Sequence, residues 1–224
     1  MIIGTGIIAN SFTNTDHSNL CIFASGVSNS FENNKFKFKK EFILLKKIIQ
    51  ENPTKKLIYF SSISIETKTL TPYTKHKIKL EQYIEKNCND YLILRLSNVV
   101  GNNQPTHQLI SYFNYCLINQ IPIQIDPSYE RNLIDVSDIP SILKILINKI
   151  TNKIILVYFS NNITIKEIII YLENINNITF KNIEEIVLPI EQQTSNLEFL
   201  NIIKENEHEF NINPFNILKK YYNI

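Results

Sequence analysis

Met1-Ile2-Ile3-Gly4-Thr5-Gly6-Ile7-Ile8-Ala9 reads as a short apolar strand, a turn with two glycines and the start of a helix. The turn has the form Gly-x-Gly-x-x-Ala. Gly4 permits a tight bend. Gly6 lets backbone N–H groups approach a pyrophosphate, which then sits at the positive end of the helix, and Ala9 lets that helix pack closely on a sheet. A tight turn of this kind is also an ordinary structural device. Its position between a strand and a helix is what gives it weight.

Working outward, residues 20–24 form a second apolar strand that ends in Ser25-Gly26. Residues 39–51 place Phe42, Leu45, Ile48 and Ile49 at helical spacing, and Asn52-Pro53 stops that helix. Residues 57–60 are a buried strand ending in Ser61-Ser62, residues 73–85 an amphipathic helix and residues 91–96 another apolar strand. A helix over 109–118, a short strand over 121–125 and a helix over 137–150 opened by Asp138 and Pro140 follow. The strand over 154–159 precedes Thr164 and Glu167, which fit a capping box. Beyond about residue 175 the pattern predicts a strand over 186–190 and helices near 196–205 and 214–222. Continuously apolar strands alternating with helices predict an α/β protein with a parallel sheet covered on both faces. The expected fold is a Rossmann-like doubly wound sheet. Its core covers 1–150, and a strand and helices over 151–224 complete the sheet and a small C-terminal substrate-side lobe. Ligands of such sheets bind at the carboxyl ends of the strands.

Composition sharpens this. The chain has 4 glycines in 224 residues, where average usage of about 7% gives roughly 16. Asn, Ile and Lys abound while Ala and Arg are nearly absent, a pattern that AT-rich coding produces. The survivors are expected where no other residue serves. The net charge of +2 favours neither a nucleic-acid partner nor disorder. Lys35 to Lys40, interleaved with Phe36 and Phe38, read as a solvated helix entry rather than a nucleic-acid patch. Cys21, Cys88 and Cys116 are scattered and odd in number, as expected of reduced thiols in a cytoplasmic protein, and His17, His76, His107 and His208 are dispersed, with surface or capping roles expected. No metal site, signal peptide or membrane span is expected.

Tyr73-Thr74-Lys75-His76-Lys77 sets Tyr73 and Lys77 one turn apart on a single helical face. A cation beside a phenol favours the phenolate, which makes the tyrosine a usable acid or base near neutral pH. Most Tyr-x-x-x-Lys pairs are plain surface contacts. This one follows a strand ending in Ser61-Ser62, a rarer combination.

Together, Gly4–Ala9, the Ala24-Ser25-Gly26 strand end, Ser61-Ser62 and Tyr73–Lys77 resemble the extended short-chain dehydrogenase/reductases, the NAD-dependent epimerase/dehydratase family. Leu94-Arg95-Leu96-Ser97-Asn98-Val99-Val100-Gly101 is similar to a stretch whose Asn lies by the sugar-nucleotide diphosphate. Arg131-Asn132-Leu133-Ile134-Asp135-Val136-Ser137-Asp138 is similar to a segment whose Arg clamps a phosphate. All four glycines (Gly4, Gly6, Gly26, Gly101), both alanines (Ala9, Ala24) and both arginines (Arg95, Arg131) fall inside these segments. For Arg95, structural pairing is an equal reading.

The resemblance implies an NAD- or NADP-binding enzyme acting on a nucleotide sugar in surface-polysaccharide or glycan biosynthesis. Ser62, Tyr73 and Lys77 would be catalytic, with Ser62 the hydroxyl partner, Tyr73 the acid/base and Lys77 the ribose anchor. Gly4, Gly6, Ile7, Ile8, Ala24, Ser25, Gly26 and Lys77 would bind the cofactor, Asn98 and Arg131 the substrate. Dehydratases of the family carry Asp-Glu where this chain has Ile63-Ser64, which leaves reduction or epimerisation. The resemblance also allows a homodimer through the Tyr73–Lys77 helix and its neighbour. One departure stands out. Only residues 10–19 separate the glycine turn from the second strand, so a strand–helix–strand unit is missing, and the adenosine pocket would be reduced or rebuilt from Asn10, Asp16 and residues 25–29. That motivates an alternative, a non-catalytic binding or scaffold protein that has lost cofactor affinity.

Overall fold

The computed structural model describes residues 1–12, 18–67, 70–188 and 196–222. Asp16 and His17 lie outside them. Five parallel strands form the main sheet: β1 (Ile2–Ile3), β2 (Leu20–Phe23), β3 (Lys56–Ser62), β4 (Tyr91–Leu96) and β8 (Lys153–Val157). Their spatial order is β1-β2-β3-β4-β8. The order climbs in one direction, and β1 is the edge. Among the described residues no strand lies beyond it, as the short link after the glycine turn predicts.

Strand alternation sorts the apolar side chains onto two faces. Cys21, Phe23, Leu57, Tyr59, Tyr91 and Ile93 point toward α2 (Lys35–Glu51) and α3 (Pro72–Asn87), where Leu45, Ile48, Leu80 and Ile84 meet them. Ile22, Ile58, Phe60, Leu92, Leu94, Ile155 and Val157 face the other way. There they pack against Phe12, which follows α1 (Ile7–Ser11), and against α5 (Ile139–Lys149) and α7 (Leu197–Ile203). Two buried faces explain why each strand reads as continuously apolar.

A second core lies beside the first. It packs β5 (Asn98–Val100), α4 (Leu109–Ile118), β6 (Ile123–Ile125), β7 (Glu130–Asp135), β9 (Asn162–Thr164), α6 (Ile165–Asn176) and α8 (Pro214–Tyr222) around Phe113, Leu117, Leu133, Ile168, Leu172 and Ile217. β5 pairs parallel with β7, and β9 antiparallel with it. A further strand, β10 (Ile183–Glu185), pairs with β6. It lies just before the expected 186–190, of which 189 and 190 are outside the described residues; the run 186–188 is not a strand, although the Ile186 N–H donates to the Ile125 carbonyl and the Leu188 N–H to the Asp126 carboxylate. The capping box forms as predicted, with Thr164 accepting from the Glu167 N–H and Glu167 accepting from the Thr164 N–H. α2 begins four residues before the expected start, because Asn34 accepts from the Phe36 N–H and caps it.

Candidate active site

Of the expected site residues, Gly4, Gly6, Ala24, Ser25, Gly26 and Ser62 lie at the carboxyl ends of β1, β2 and β3, Tyr73 and Lys77 on the following helix α3, and Asn98 and Arg131 on the separate three-stranded sheet. Gly4 has φ +128°, and an added Cβ would stand 2.3 Å from the Ala24 carbonyl oxygen. Only glycine tolerates that backbone at that approach, so the first turn is welded to the end of β2. Gly6 is different. Nothing lies within 4 Å of where its Cβ would be, and it opens α1 with no side-chain cap. The entry to α1 is therefore not closed by any atom at Gly6 or by a capping side chain. Ile7 and Ile8 support this turn from below by packing on the main core. Gly101 lies against the same turn: its Cβ would stand 2.6 Å from Val136 and 3.6 Å from Ile7.

α3 carries the tyrosine and lysine. Thr71 caps it by accepting from the Thr74 N–H, and Pro72 opens it. Tyr73 is buried, and the Lys77 ammonium lies 5.8 Å from its ring centroid. At the end of β3, Ser62 accepts from the Ser64 N–H at 3.2 Å and shares a 2.8 Å hydrogen bond with the Ser64 hydroxyl. Ser61 points to the other face of the strand, and its buried hydroxyl has no partner.

Lys77 itself is held by residues that the motifs do not name. It donates to Glu41 Oε1 at 3.1 Å and to the Tyr59 hydroxyl at 3.0 Å. Glu41 comes from α2 and is buried, with three further donors: the Val27 N–H at 2.9 Å, His76 Nε2 at 3.0 Å and the Tyr59 hydroxyl at 3.2 Å. Burial alone would push the Glu41 carboxyl up. Lys77, His76 and the Val27 N–H outweigh it and hold the group down at about 2. Burial likewise works against the Lys77 charge, but Tyr59 and Glu41 raise its pKa well above the usual lysine range. Burial also pushes the Tyr59 phenol up. His76 is thus a buried member of this cluster, stacked 4.5 Å from Phe38, and not the surface residue expected. The signal for Glu41 was present in the sequence. It stands four residues before Leu45 and seven before Ile48, on the stripe of α2 that faces the sheet.

Arg95 resolves to structural pairing. Its guanidinium forks between Glu81 of α3 and Glu66 of the 3-10 turn Ile63–Glu66. Asn98 and Arg131 lie on the neighbouring strands β5 and β7. The Asn98 amide donates to the Asn132 carbonyl at 2.9 Å. The Arg131 guanidinium stacks 4.2 Å over the Tyr129 ring, and its buried Nε has no hydrogen-bond partner. Asp135, at the end of β7, is fully buried and gathers Ser137, Lys220, Tyr221 and Asn211, which ties the C-terminal helix to this sheet. A cavity of about 50 Å³ lined by Cys21, Asn52, Leu57 and Cys88 lies at the opposite, amino end of the strands and belongs to none of this.

A parallel sheet with a buried tyrosine–lysine helix beside a serine-ended strand matches a known pattern. The model of the NAD dependent epimerase/dehydratase family matches residues 25–157, more than half of the chain. The chain belongs to that family. The match begins after the glycine turn, so Gly4 and Gly6 lie before it. No curated protein sequence matches this family member. Solved structures of similar fold include dTDP-glucose 4,6-dehydratase from Bacillus anthracis in complex with NAD, with TM-score 0.63 and 16% identity, covering 83% of this chain and 66% of that one. The UDP-glucose 4-epimerase of Thermus thermophilus, in complex with NAD, gives TM-score 0.63 and 15% identity, with 87% and 72% covered. RMD from Pseudomonas aeruginosa, complexed with NADPH, gives TM-score 0.64 and 16% identity, with 82% and 74% covered. The epimerase/dehydratase chain described here thus spans about two thirds to three quarters of the length of these structures. Among its described residues no helix is long and apolar enough to cross a membrane.

Proposed function

We propose that this chain is an NAD(P)-dependent nucleotide-sugar reductase or epimerase serving glycan or surface-polysaccharide biosynthesis. The observation that carries the reading is the Lys77 ammonium set over the Tyr73 ring at the carboxyl rim of the sheet. A nicotinamide cofactor, when bound, supplies the hydride chemistry.

The residues present fit the nicotinamide and phosphate portion of such a cofactor. Gly6 leaves the start of α1 open, where the first N–H groups suit a phosphate. Lys77 has three donors, of which Glu41 and Tyr59 take two, so one remains for a ribose hydroxyl. Ala24, Ser25 and Gly26 line the rim between them. Tyr73 moves the proton of the sugar hydroxyl, with the Lys77 charge one turn away. Ser62, which has both a donor and acceptor capacity, orients the same oxygen while keeping its bond to Ser64. Arg131 offers a forked guanidinium to a diphosphate, with Asn98 on the neighbouring strand. Ile63-Ser64 provides no carboxylate for water elimination, which favours reduction or epimerisation over dehydration.

The edge position of β1 favours a second reading, a non-catalytic binding protein with reduced cofactor affinity. Thermal-shift titration with NAD, NADH, NADP and NADPH separates the two, because a ligand that binds only the native state raises its melting temperature. The enzymatic reading expects a rise with at least one of the four, and loss of turnover in Tyr73→Phe with the fold intact. Full turnover in that variant overturns the role of Tyr73, and no shift at millimolar nucleotide leaves the binding protein.

A further inference from the structure

We propose that Glu41 is a positioning residue of this site, the counter-ion that keeps Lys77 charged and fixed beside Tyr73. The proposal rests on the reading above for its functional meaning, but its geometry stands alone. The two side chains are each 3% exposed and meet at 3.1 Å. Glu41 is saturated: Oε1 accepts from Lys77 and Tyr59, and Oε2 from His76 and the Val27 N–H. A carboxylate with four donors cannot swing to another partner without leaving buried donors unpaired.

Three elements converge on the pair. α2 brings Glu41, β3 brings Tyr59, and α3 brings Tyr73, His76 and Lys77. The loop after β2 closes over it: at Gly26 an added Cβ would stand 2.8 Å from Glu41 Oε1 and 3.0 Å from Lys77 Nζ. That glycine, one of four in the chain, is what lets the ion pair reach the rim. A buried ammonium without a counter-ion gives up its proton at far lower pH, by up to 3–5 units. In this site Glu41 prevents that. Lys77 then presents a fixed positive charge to the phenol and keeps its remaining donor for a ligand.

The test is the slope of thermal stability against pH between about 7.5 and 9.5, in the unliganded protein. The window lies above the ordinary histidine range and below the ordinary tyrosine range; the cysteines that titrate within it are common to all the variants, so each slope is read against that of the wild type. In the wild type the raised pKa of Lys77 gives a contribution fully present below the unfolded value near 10.4 and lost only as pH rises through the folded one. The slope from this group is therefore flat across the window. In Glu41→Gln the folded pKa falls below the unfolded one, the unfolded chain binds more protons, and stability climbs with pH. The limit is tenfold in the folding constant per pH unit, or roughly 3–5 °C in Tm. Glu41→Asp, which retains the charge, is expected to stay close to the wild-type slope. The double variant Glu41→Gln/Lys77→Met, which removes both charges, is expected to lose the climb and to serve if the single variant is too unstable below pH 8. A Glu41→Gln slope no more positive than that of the wild type, or a climb relative to the wild type that persists in the double variant, overturns the proposal. Because no turnover is measured, a failure here is distinct from a failure of Tyr73→Phe to lose activity.

Discussion

Gly26 faces the Lys77 ammonium so closely that a methyl group on its α-carbon would stand 3.0 Å from Nζ and 2.8 Å from the Glu41 carboxylate. Its backbone is not in the left-handed region, so the demand for glycine there is one of space alone. Gly26→Ala is expected to lower stability by roughly 1–3 kcal/mol, the usual range for overpacking a filled site. In a Glu41→Gln background the cost is expected to shrink, since coupled neighbours are not additive. Urea denaturation of the two single variants and the double variant measures both.

Arg95 joins β4 to α3 and to the turn after β3. Its Glu81 partner has a side chain only 3% exposed. Arg95→Met strands that carboxylate and is expected to cost about 3–5 kcal/mol. Arg95→Lys keeps a charge but loses the fork that reaches two acids, so it recovers only part of the loss. Equal stability of Arg95→Met and the wild type would show that the pairing does not matter.

Asp138 carries the opposite sign of pH dependence from the salt-bridged acids. Burial, with the nearby Asp135 adding to it, raises its pKa to about 6 against the lowering by the Asn211 N–H and Lys220. A raised carboxyl stabilises most below the unfolded value near 3.9, and that contribution is lost as pH rises through about 6. Asp138→Asn can still accept from the Asn211 N–H and has no charge to bury. It is expected to gain about 1 kcal/mol on the wild type between pH 5 and pH 7.5, after allowance for its partial exposure to solvent. Chemical denaturation at the two pH values reads this directly.

Arg131 has its Nε buried without a partner and its guanidinium over the Tyr129 ring, and the proposed diphosphate contact puts it to a direct test. Arg131→Lys is expected to change unliganded stability by no more than about 0.5 kcal/mol. It is expected to weaken binding of a nucleoside diphosphate such as UDP roughly tenfold, because lysine offers a point charge in place of a fork. Calorimetric titration of UDP into both proteins provides the comparison; equal affinities would remove Arg131 from the substrate site.

The parts of the fold that were legible are those where one physical signal dominates. β4 and α4 occupy the expected 91–96 and 109–118, since an unbroken apolar run and a helical stripe each admit one reading. The Thr164–Glu167 box was readable because both halves of the reciprocal bond are fixed in spacing. β5, β7 and β9 were not expected as strands. They are short, and Arg131 and Asn132 break any alternation in the strand that pairs with both neighbours. At the site, the glycine turn, the Ala24–Gly26 strand end and Ser62 follow their strands as read, but the pairing of Lys77 was not legible. His76 looks like a surface residue in a lysine-rich segment, and although Glu41 lies on the apolar stripe of α2, only the packing of α2 on α3 brings the two together. Spacing within one helix predicts a face. It does not predict which charged residue of another helix meets it.

A sheet with fewer strands has its margins nearer its centre, and margins invite another chain to add on through unpaired backbone groups. Here one margin is β1, only two residues long. The other is β8, which starts with Lys153 bound to Glu198 of α7, a helix that also packs along that strand. Brevity leaves few unpaired backbone groups on the first border, and a helix with a charged clasp lies against the second, so the sheet offers little template for the addition of further strands.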